Sequence, residues 1–212
     1  MQDVYPISLH SDEHRSMDET SLLLRLATES DIEAIISLID EAADWLRAHK
    51  DTDQWAEPWP TVAERRQRIV TALRARRTWI LWEGSLPVAT LTAEPDHTQG
   101  NGLVWPEEAR KDPAVYVCRL VVRRSHAGRG LGAALLDWAG RSARQARGAQ
   151  WTRVDVWTTN LALHAYYKAQ GFDLYRYSEK ADVYPSAALF QKSTDRIRLA
   201  EPPLFQQDPA DR

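Results

Sequence analysis

Three glycines alternate with other residues in the segment His126–Gly132, which follows an apolar run at Val115–Val122. The glycines are Gly128, Gly130 and Gly132. Because glycine has no Cβ, the backbone of such a turn can approach a ligand closely. The apolar spacing after the turn predicts a helix, whose unpaired N–H groups and positive dipole end favour an anion. The segment therefore predicts a pyrophosphate site, to which Arg123, Arg124 and Arg129 add charge-assisted hydrogen bonds.

Two other phosphate ligands fit the glycine turn less well. A nucleoside triphosphate site would need Gly-Lys-Ser/Thr after the turn, and the sequence does not contain it there. A dinucleotide site is the better alternative, because Asp155 lies at about the right distance downstream to bind a ribose. Against it, the third glycine comes two rather than three residues after Gly130, and Asp155 lies within a predicted strand rather than at its end.

The elements that must position this turn follow from hydrophobic periodicity and helix-start signals. Ile32, Ile35 and Ile39 recur at helical spacing, and Thr61 with Glu64 forms a capping box that begins a second helix. The predicted order is strand, two helices, three strands, helix, strand, helix and two strands, at 22–26, 32–46, 62–76, 79–82, 88–92, 115–122, from 131, 151–157, 161–170, 172–177 and 187–192. This order predicts a mixed sheet with helices on its faces.

Residues 21–200 are predicted to form a single domain, because no low-complexity linker divides them. Residues 1–20 predict a mobile leader, and residues 201–212 predict a mobile C-terminal tail. The apolar runs are too short for a bilayer and the N-terminus lacks the basic residues of a signal peptide, so we expect a cytoplasmic protein with no membrane partner. The single cysteine, Cys118, excludes an intramolecular disulfide and a cysteine-based metal site, and no metal site is predicted.

Charge is unevenly distributed along the chain, although the formal net charge is only -3. Residues 111–153 carry nine basic side chains against two acidic ones, whereas residues 29–60 carry nine acidic side chains against two basic ones. The net charge argues against a nucleic-acid partner. The acidic segment predicts attraction of a cation.

The segment Val115–Phe172 resembles the GNAT superfamily of acetyl-CoA-dependent N-acetyltransferases in two motifs. The first, Gln/Arg-x-x-Gly-x-Gly/Ala, is matched by the six residues that end at Gly132 in both glycine positions, while Ala127 occupies the first position. The second consists of Asn160, Tyr167 seven residues later, and Gly171-Phe172. The resemblance implies an α/β (α+β) fold with a mixed, mostly antiparallel sheet of six to seven strands and helices on both faces.

The resemblance also implies that acetyl-CoA is the co-substrate. The strand at 115–122 would splay away from the next strand and offer main-chain groups to the pantetheine arm, while the glycine turn would hold the pyrophosphate. Asn160 would reach the pantetheine or a bridging water, and Lys168 would reach a phosphate. The implied cofactor-binding residues are Leu120, Val121, Val122, Gly128, Arg129, Gly130, Leu131, Gly132, Ala133, Asn160 and Lys168.

Acetyl transfer to an amine needs a deprotonated nitrogen, a stabilised thioester oxyanion and a proton for the departing thiolate. By resemblance, Tyr167 is the acid. A main-chain amide near Val121 or Val122 is expected to polarise the thioester oxygen. The base stays open, because Tyr116 stands where some relatives carry a carboxylate. The candidate bases in predicted loops are Glu57, Glu94, Asp96, His97 and Glu107.

The predicted acceptor is a small-molecule amine, and the acidic segment suits a cationic one. The expected substrate residues are Trp55, Glu57, Glu94 and Asp96, with Trp59 and an exposed Trp105 extending an aromatic wall. The long loop at 94–113 favours a small acceptor, yet a protein or peptide N-acetyltransferase stays open because a fold does not choose its acceptor. Ala127 and the unassigned base keep a non-catalytic acyl-CoA-binding regulatory module open as well. The sequence leaves the oligomeric state undetermined and is compatible with a dimer.

Overall fold

The computed structural model describes residues 21–56, 61–95, 104–181, 183–198 and 203–211. The predicted leader, residues 1–20, lies outside them. The strands are β1 (Leu22–Leu26), β2 (Thr78–Glu83), β3 (Leu86–Glu94), β4 (Ala114–Val122), β5 (Trp151–Val156), β6 (Asp173–Tyr177), β7 (Ala188–Ser193) and β8 (Gln206–Gln207). The helices are α1 (Ile32–His49), α2 (Val62–Arg74), α3 (Glu107–Arg110), α4 (Leu131–Arg147) and α5 (Leu161–Ala169). The predicted order of elements is confirmed, and α3 and β8 are additions to it.

All eight described strands form one sheet in the order β6-β7-β5-β4-β3-β2-β1-β8. Neighbours pair antiparallel except for β4 with β5 and β1 with β8, so the predicted mixed, mostly antiparallel sheet is confirmed. The sequence predicts at most seven strands, and the eighth, β8, lies in the segment predicted as a tail. It pairs there because β1 would otherwise present an unpaired backbone edge, and Asp211 also accepts a hydrogen bond from the Leu26 amide at 2.8 Å.

Strands β4 and β5 are paired only at their beginnings. The parallel register joins Ala114–Tyr116 to Trp151–Arg153 and ends there. Beyond this point β5 continues along β7 and β4 continues along β3. The two strands therefore diverge, as the resemblance implies, and leave an opening in the middle of the sheet.

A β-bulge interrupts β4 where it faces this opening. Thr92 is opposite Cys118, but Thr90 is opposite Val121, so β4 carries one extra residue between the two pairs. Arg119 lies within the bulge and has a left-handed backbone conformation with φ of 51°. A non-glycine residue in that region is strained, and such strain is concentrated at functional sites.

Helices cover both faces of the sheet. Helix α4 packs its apolar face on one side, where Leu135 and Leu136 join Val115 and Phe190 in the main core. Helices α1 and α2 pack on the other side in a second core that includes Ile35, Ile69 and Ile80. Thr61 caps α2 by accepting a hydrogen bond from the Glu64 amide at 3.2 Å, so the helix start predicted from that pair is confirmed.

The segment before β4 is packed rather than exposed. Trp105, expected from the sequence to be exposed, is only 2% accessible and lies edge-on to the Tyr116 ring at 6.0 Å between centroids. The Arg153 guanidinium stacks 4.8 Å from the Trp105 ring and donates hydrogen bonds to the Ala109 carbonyl and the Tyr116 hydroxyl. Trp105 is buried against Tyr116 and the Arg153 guanidinium, so it is not available to contact a substrate.

Helix α4 lies close against the sheet at Gly140. A Cβ built there would collide with the Thr152 hydroxyl and with the Ile197 side chain. We therefore expect Gly140→Ala to lower the free energy of unfolding by about 1–3 kcal/mol, as overpacking does in other cores. Chemical denaturation measures it, with Gln145→Ala on the exposed side of the same helix as the control. Unchanged stability would contradict this packing.

Among the described helices, none combines the length and the apolar character that a bilayer crossing requires.

Candidate functional site

The glycine turn joins β4 to α4 as the sequence predicts. Gly128 and Gly130 have φ of +82° and +75°, a left-handed conformation that glycine adopts without strain. Gly130 is the N-cap of α4. Within the described residues, no acceptor is found for the backbone N–H groups from Gly128 to Ala133. These amides and the helix dipole make a cradle that fits the predicted pyrophosphate.

A cavity of about 550 Å³ lies beside this turn. It is walled by the end of β4, the turn, α5, α1 and the segment that follows α1. Its walls include most residues predicted to bind the cofactor, namely Leu120, Val121, Val122, Gly128, Gly130, Leu131, Gly132, Ala133 and Asn160. We call it the larger cavity.

Two predicted cofactor-binding side chains do not line the larger cavity. Lys168 is exposed on α5, and the Arg129 guanidinium is paired with Glu83 at 3.1 Å. Arg123 is similarly engaged, because it donates to Glu41 at 2.9 Å. Of the three arginines near the turn, Arg124 is the one that lines the cavity, with its guanidinium 3.7 Å above the Trp45 ring. The charge available to a phosphate from this cluster is therefore smaller than the sequence suggests.

Asn160 performs a structural task at the start of α5. Its Oδ1 accepts a hydrogen bond from the Leu163 amide at 2.9 Å, which caps the helix. Its Nδ2 donates to Gln54 Oε1 at 2.7 Å. Asp53 binds the same region, because it accepts a hydrogen bond from the Trp157 indole at 2.7 Å. These bonds hold the segment after α1, and with it Trp55, against α5.

Tyr167 lies in the wall of the larger cavity and is only 8% accessible. Its ring packs against Phe172 and Tyr166, each at 5.4 Å between centroids. Burial raises the pKa of its phenol well above the ordinary value, and the nearby Asp155 charge adds to that rise. The side chain is therefore a protonated phenol at neutral pH, the form that can donate a proton.

A second cavity of about 180 Å³ lies on the other side of Tyr167, in the opening between β4 and β5. We call it the smaller cavity. Five residues line both cavities: Gln54, Trp55, Leu120, Leu163 and Tyr167. The two spaces thus meet at Tyr167 and at the bulged part of β4.

The smaller cavity contains charged residues that sequence reasoning did not assign to the site. They are Arg65 and Arg68 from α2, Arg119 from the β4 bulge, and Asp155 from β5. Asp155 was considered only as a ribose ligand. The sequence carries one sign of it, because this carboxylate lies between Val154 and Val156 in the predicted strand. Arg65 and Arg68 carried no comparable signal, since they are two of the four arginines on α2.

Of the predicted substrate residues, Trp55 lines both cavities. Glu57 and Asp96 lie outside the described residues, as do the further candidates Trp59 and His97. Glu94 is 7% accessible, lines neither cavity and forms an ion pair with Arg77 at 2.6 Å. Glu107 begins the short helix α3 and likewise lines neither cavity.

The acidic segment is largely neutralised by arginines. Its ion pairs are Glu29 with Arg74, Asp31 with Arg25, Glu33 with Arg66, Asp40 with Arg65, Glu41 with Arg123 and Asp44 with Arg47. These carboxylates belong to α1 and its start and hold neighbouring elements. The expected attraction of a cationic substrate by this segment has no support in these contacts.

Cys118 lines the smaller cavity but is not suited to nucleophilic catalysis. Burial of the thiol raises the pKa of Cys118 to about 12. The thiolate is the nucleophilic form, and it is scarcely populated near neutral pH with such a pKa.

Comparison with known proteins agrees with this geometry. Residues 38–172 match the model of the family described as "Acetyltransferase (GNAT) family". An uncharacterized N-acetyltransferase, YesJ, from Bacillus subtilis (strain 168) is 24% identical over 149 residues, which cover 69% of this chain and 79% of that protein.

Two solved structures share the fold. A GNAT-family acetyltransferase from Listeria monocytogenes 4b F2365 has a TM-score of 0.65 and 19% identity, covering 81% of this chain and 94% of that one. YncA, a putative acetyltransferase from Salmonella typhimurium solved with its cofactor acetyl-CoA, has a TM-score of 0.56 and 16% identity, covering 83% of this chain and 95% of that one.

Proposed function

Because this chain belongs to the GNAT family of acetyltransferases, we propose that it transfers an acetyl group from acetyl-CoA to the primary amine of a small molecule. The chain is an acyltransferase, and acetyl-CoA is its co-substrate.

Acetyl-CoA fits the larger cavity on two features of the chain. The amides from Gly128 to Ala133 form the cradle that fits a pyrophosphate. Beyond Tyr116, β4 has no strand partner on its β5 side among the described residues, which leaves backbone groups for the amides of the pantetheine arm. Leu120, Val121 and Val122 would therefore hold the arm, and the glycine turn would hold the pyrophosphate.

The observation that carries the proposal is the meeting of the two cavities at Tyr167. Acetyl-CoA supplies the acetyl group as a thioester. The acceptor nitrogen, entering from the smaller cavity, forms the new bond to the acetyl carbon as the carbon–sulfur bond breaks. The nitrogen loses a proton to a base, and the departing sulfur takes a proton from the Tyr167 hydroxyl.

Asp155 is the proposed base, and it would act either directly or through a water. It lines the smaller cavity, and its charge raises the pKa of Tyr167, which sets it close to the meeting point. A carboxylate there can hold an ammonium group and then accept its proton. Tyr116, which occupies the strand position where some relatives carry a carboxylate, has its hydroxyl engaged with Arg153 instead.

A small acceptor is favoured by the walls of the smaller cavity. Its volume is about 180 Å³, and α1, α2, β4, β5 and residues 184–186 all contribute to it. A polypeptide acceptor would need a longer groove. The test is release of free thiol from acetyl-CoA by the full chain, screened over small amines and over peptides with free N-termini. Turnover of peptides alone would reject the small acceptor, and absence of turnover with every small amine tested would reject it as well.

Replacing Asp155 tests the base. We expect Asp155→Asn to lower kcat/KM for the amine by about 10-fold at neutral pH, less than a full general-base loss because an amine can also lose its proton to water. The deficit should shrink as the pH rises and more of the amine is neutral. Steady-state rates between pH 7 and pH 10 measure this, and an equal deficit at every pH would contradict the role.

A further inference from the structure

The charges around the smaller cavity are mainly positive. Three guanidinium groups and one carboxylate line it, among the described residues. They come from three separate elements, since Arg65 and Arg68 belong to α2, Arg119 to β4 and Asp155 to β5. A cationic acceptor with no negative group would meet an unfavourable field in this space.

The arginines are placed by the fold to face the cavity together. Arg65 and Arg68 are three residues apart on α2 and therefore share one face of that helix. Arg119 is held at the bulge, where its Nη1 donates to the Thr92 hydroxyl at 3.2 Å. Arg65 is paired with Asp40 at 2.9 Å, but a guanidinium has five N–H donors and retains others for a ligand.

The carboxylate of the smaller cavity, Asp155, suits the amine end of the acceptor. Asp155 lines the smaller cavity together with Tyr167, and Tyr167 marks the point where the two cavities meet and where the acceptor nitrogen must arrive. The lining of the smaller cavity thus carries a carboxylate on β5 and guanidinium groups on α2 and at the β4 bulge. This pattern is complementary to a molecule that carries an amine and an acid.

We propose that the acceptor is a small amino acid, or a similar amine bearing a carboxylate, whose carboxylate is bound by Arg119 and Arg68 with Arg65. Guanidinium groups bind carboxylates in a planar, bidentate manner. This inference rests on the proposed function, because it names the substrate class of the same site.

The test compares matched acids and amides in binding and in turnover. N-acetylglycine, N-acetyl-β-alanine and N-acetyl-4-aminobutyrate are each titrated calorimetrically into the full chain saturated with CoA, beside the corresponding amides. We expect at least one acid to bind about 10-fold or more tightly than its amide, as charge-assisted hydrogen bonds predict. The parent amino acids, their amides and diamines of equal length are compared by thiol release, where kcat/KM should favour the acid in the same way.

Three single variants identify the residues. Arg119→Gln and Arg68→Gln should each remove most of the acid preference while leaving acetyl-CoA binding unchanged. Arg66→Gln is the matched control, because Arg66 lies on the same helix, is paired with Glu33 at 2.6 Å and does not line the cavity. Equal affinity for acids and amides, no detectable binding of any acid at millimolar concentration, or an equal loss of preference in Arg66→Gln would each overturn the inference.

Failure of this inference is distinguishable from failure of the proposed function. If the diamines or amides are acetylated best, the acyl transfer stands and the acidic acceptor is wrong. If the acids bind preferentially but no amine releases thiol, the binding preference stands and the transfer to an amine is wrong.

Discussion

Tyr167→Phe should lower kcat for acetyl transfer by about 100-fold or more, the usual loss when a general acid is removed. The phenylalanine keeps the ring contacts with Phe172 and Tyr166 and removes only the hydroxyl. The Kd for acetyl-CoA should therefore change little, because the loss falls on protonation of the departing sulfur. Steady-state kinetics and calorimetric titration together measure the two effects.

The control for this substitution is Tyr177→Phe. Tyr177 is 50% accessible on β6 and lines neither cavity, so its variant should retain the kcat of the unmodified chain. An unchanged kcat in Tyr167→Phe would remove Tyr167 from the chemistry and leave it as a core aromatic residue.

The buried position of Tyr167 also determines the pH profile. Burial raises the pKa of the phenol, so the protonated, proton-donating form persists to higher pH than it would for an exposed tyrosine. Activity should therefore not decline on the alkaline side around the ordinary tyrosine pKa of about 10. A descending limb near that pH that disappears in Tyr167→Phe would show that the phenol titrates normally.

Gly130→Glu should abolish the rise in melting temperature that acetyl-CoA produces. The substitution introduces a side chain and a negative charge at the N-cap of α4, where the pyrophosphate is expected. A ligand at 100 times its Kd stabilises a protein by about 2.7 kcal/mol, which for a chain of this size corresponds to a shift of roughly 5–10 °C. Differential scanning fluorimetry with and without acetyl-CoA measures the shift.

Gly148→Glu separates this effect from backbone strain. Gly148 caps the other end of α4 with φ of 72°, against 75° for Gly130, and it lines neither cavity. Both variants should lower the melting temperature of the free chain, because a non-glycine residue is strained in this conformation. Only Gly130→Glu should lose the response to acetyl-CoA, and a retained response would place the pyrophosphate elsewhere.

The sequence predicted the parts of the molecule that depend on local patterns. Glycines at the end of a strand, a capping pair at Thr61 and Glu64, and helical apolar spacing each determine structure within a few residues of themselves. The glycine turn and the order of elements follow from such patterns, whereas the place of Tyr167 at the site was implied by the family resemblance. The family comparison then confirmed the acyltransferase activity and its co-substrate.

The sequence did not predict features that depend on distant partners. The acidic residues of α1 looked available for a substrate, yet Glu33, Glu29 and Glu41 are paired with arginines that lie between 33 and 82 residues away along the chain. Arg68, Arg119 and Asp155 meet only because α2, β4 and β5 converge on one opening. The local sequence around each of these residues does not show that the three share one site.

The bulge at Arg119 changes which side of the sheet each later residue of β4 faces. Before it, odd-numbered residues such as Val115 and Val117 pack into the main core, and after it the even-numbered Leu120 and Val122 do so. Val121 correspondingly faces the second core, under α1 and α2. The extra residue thus moves each later side chain of the strand to the opposite face, because side chains alternate with a period of two. This change of parity falls where the two cavities meet, because Leu120, the residue after Arg119, lines both of them.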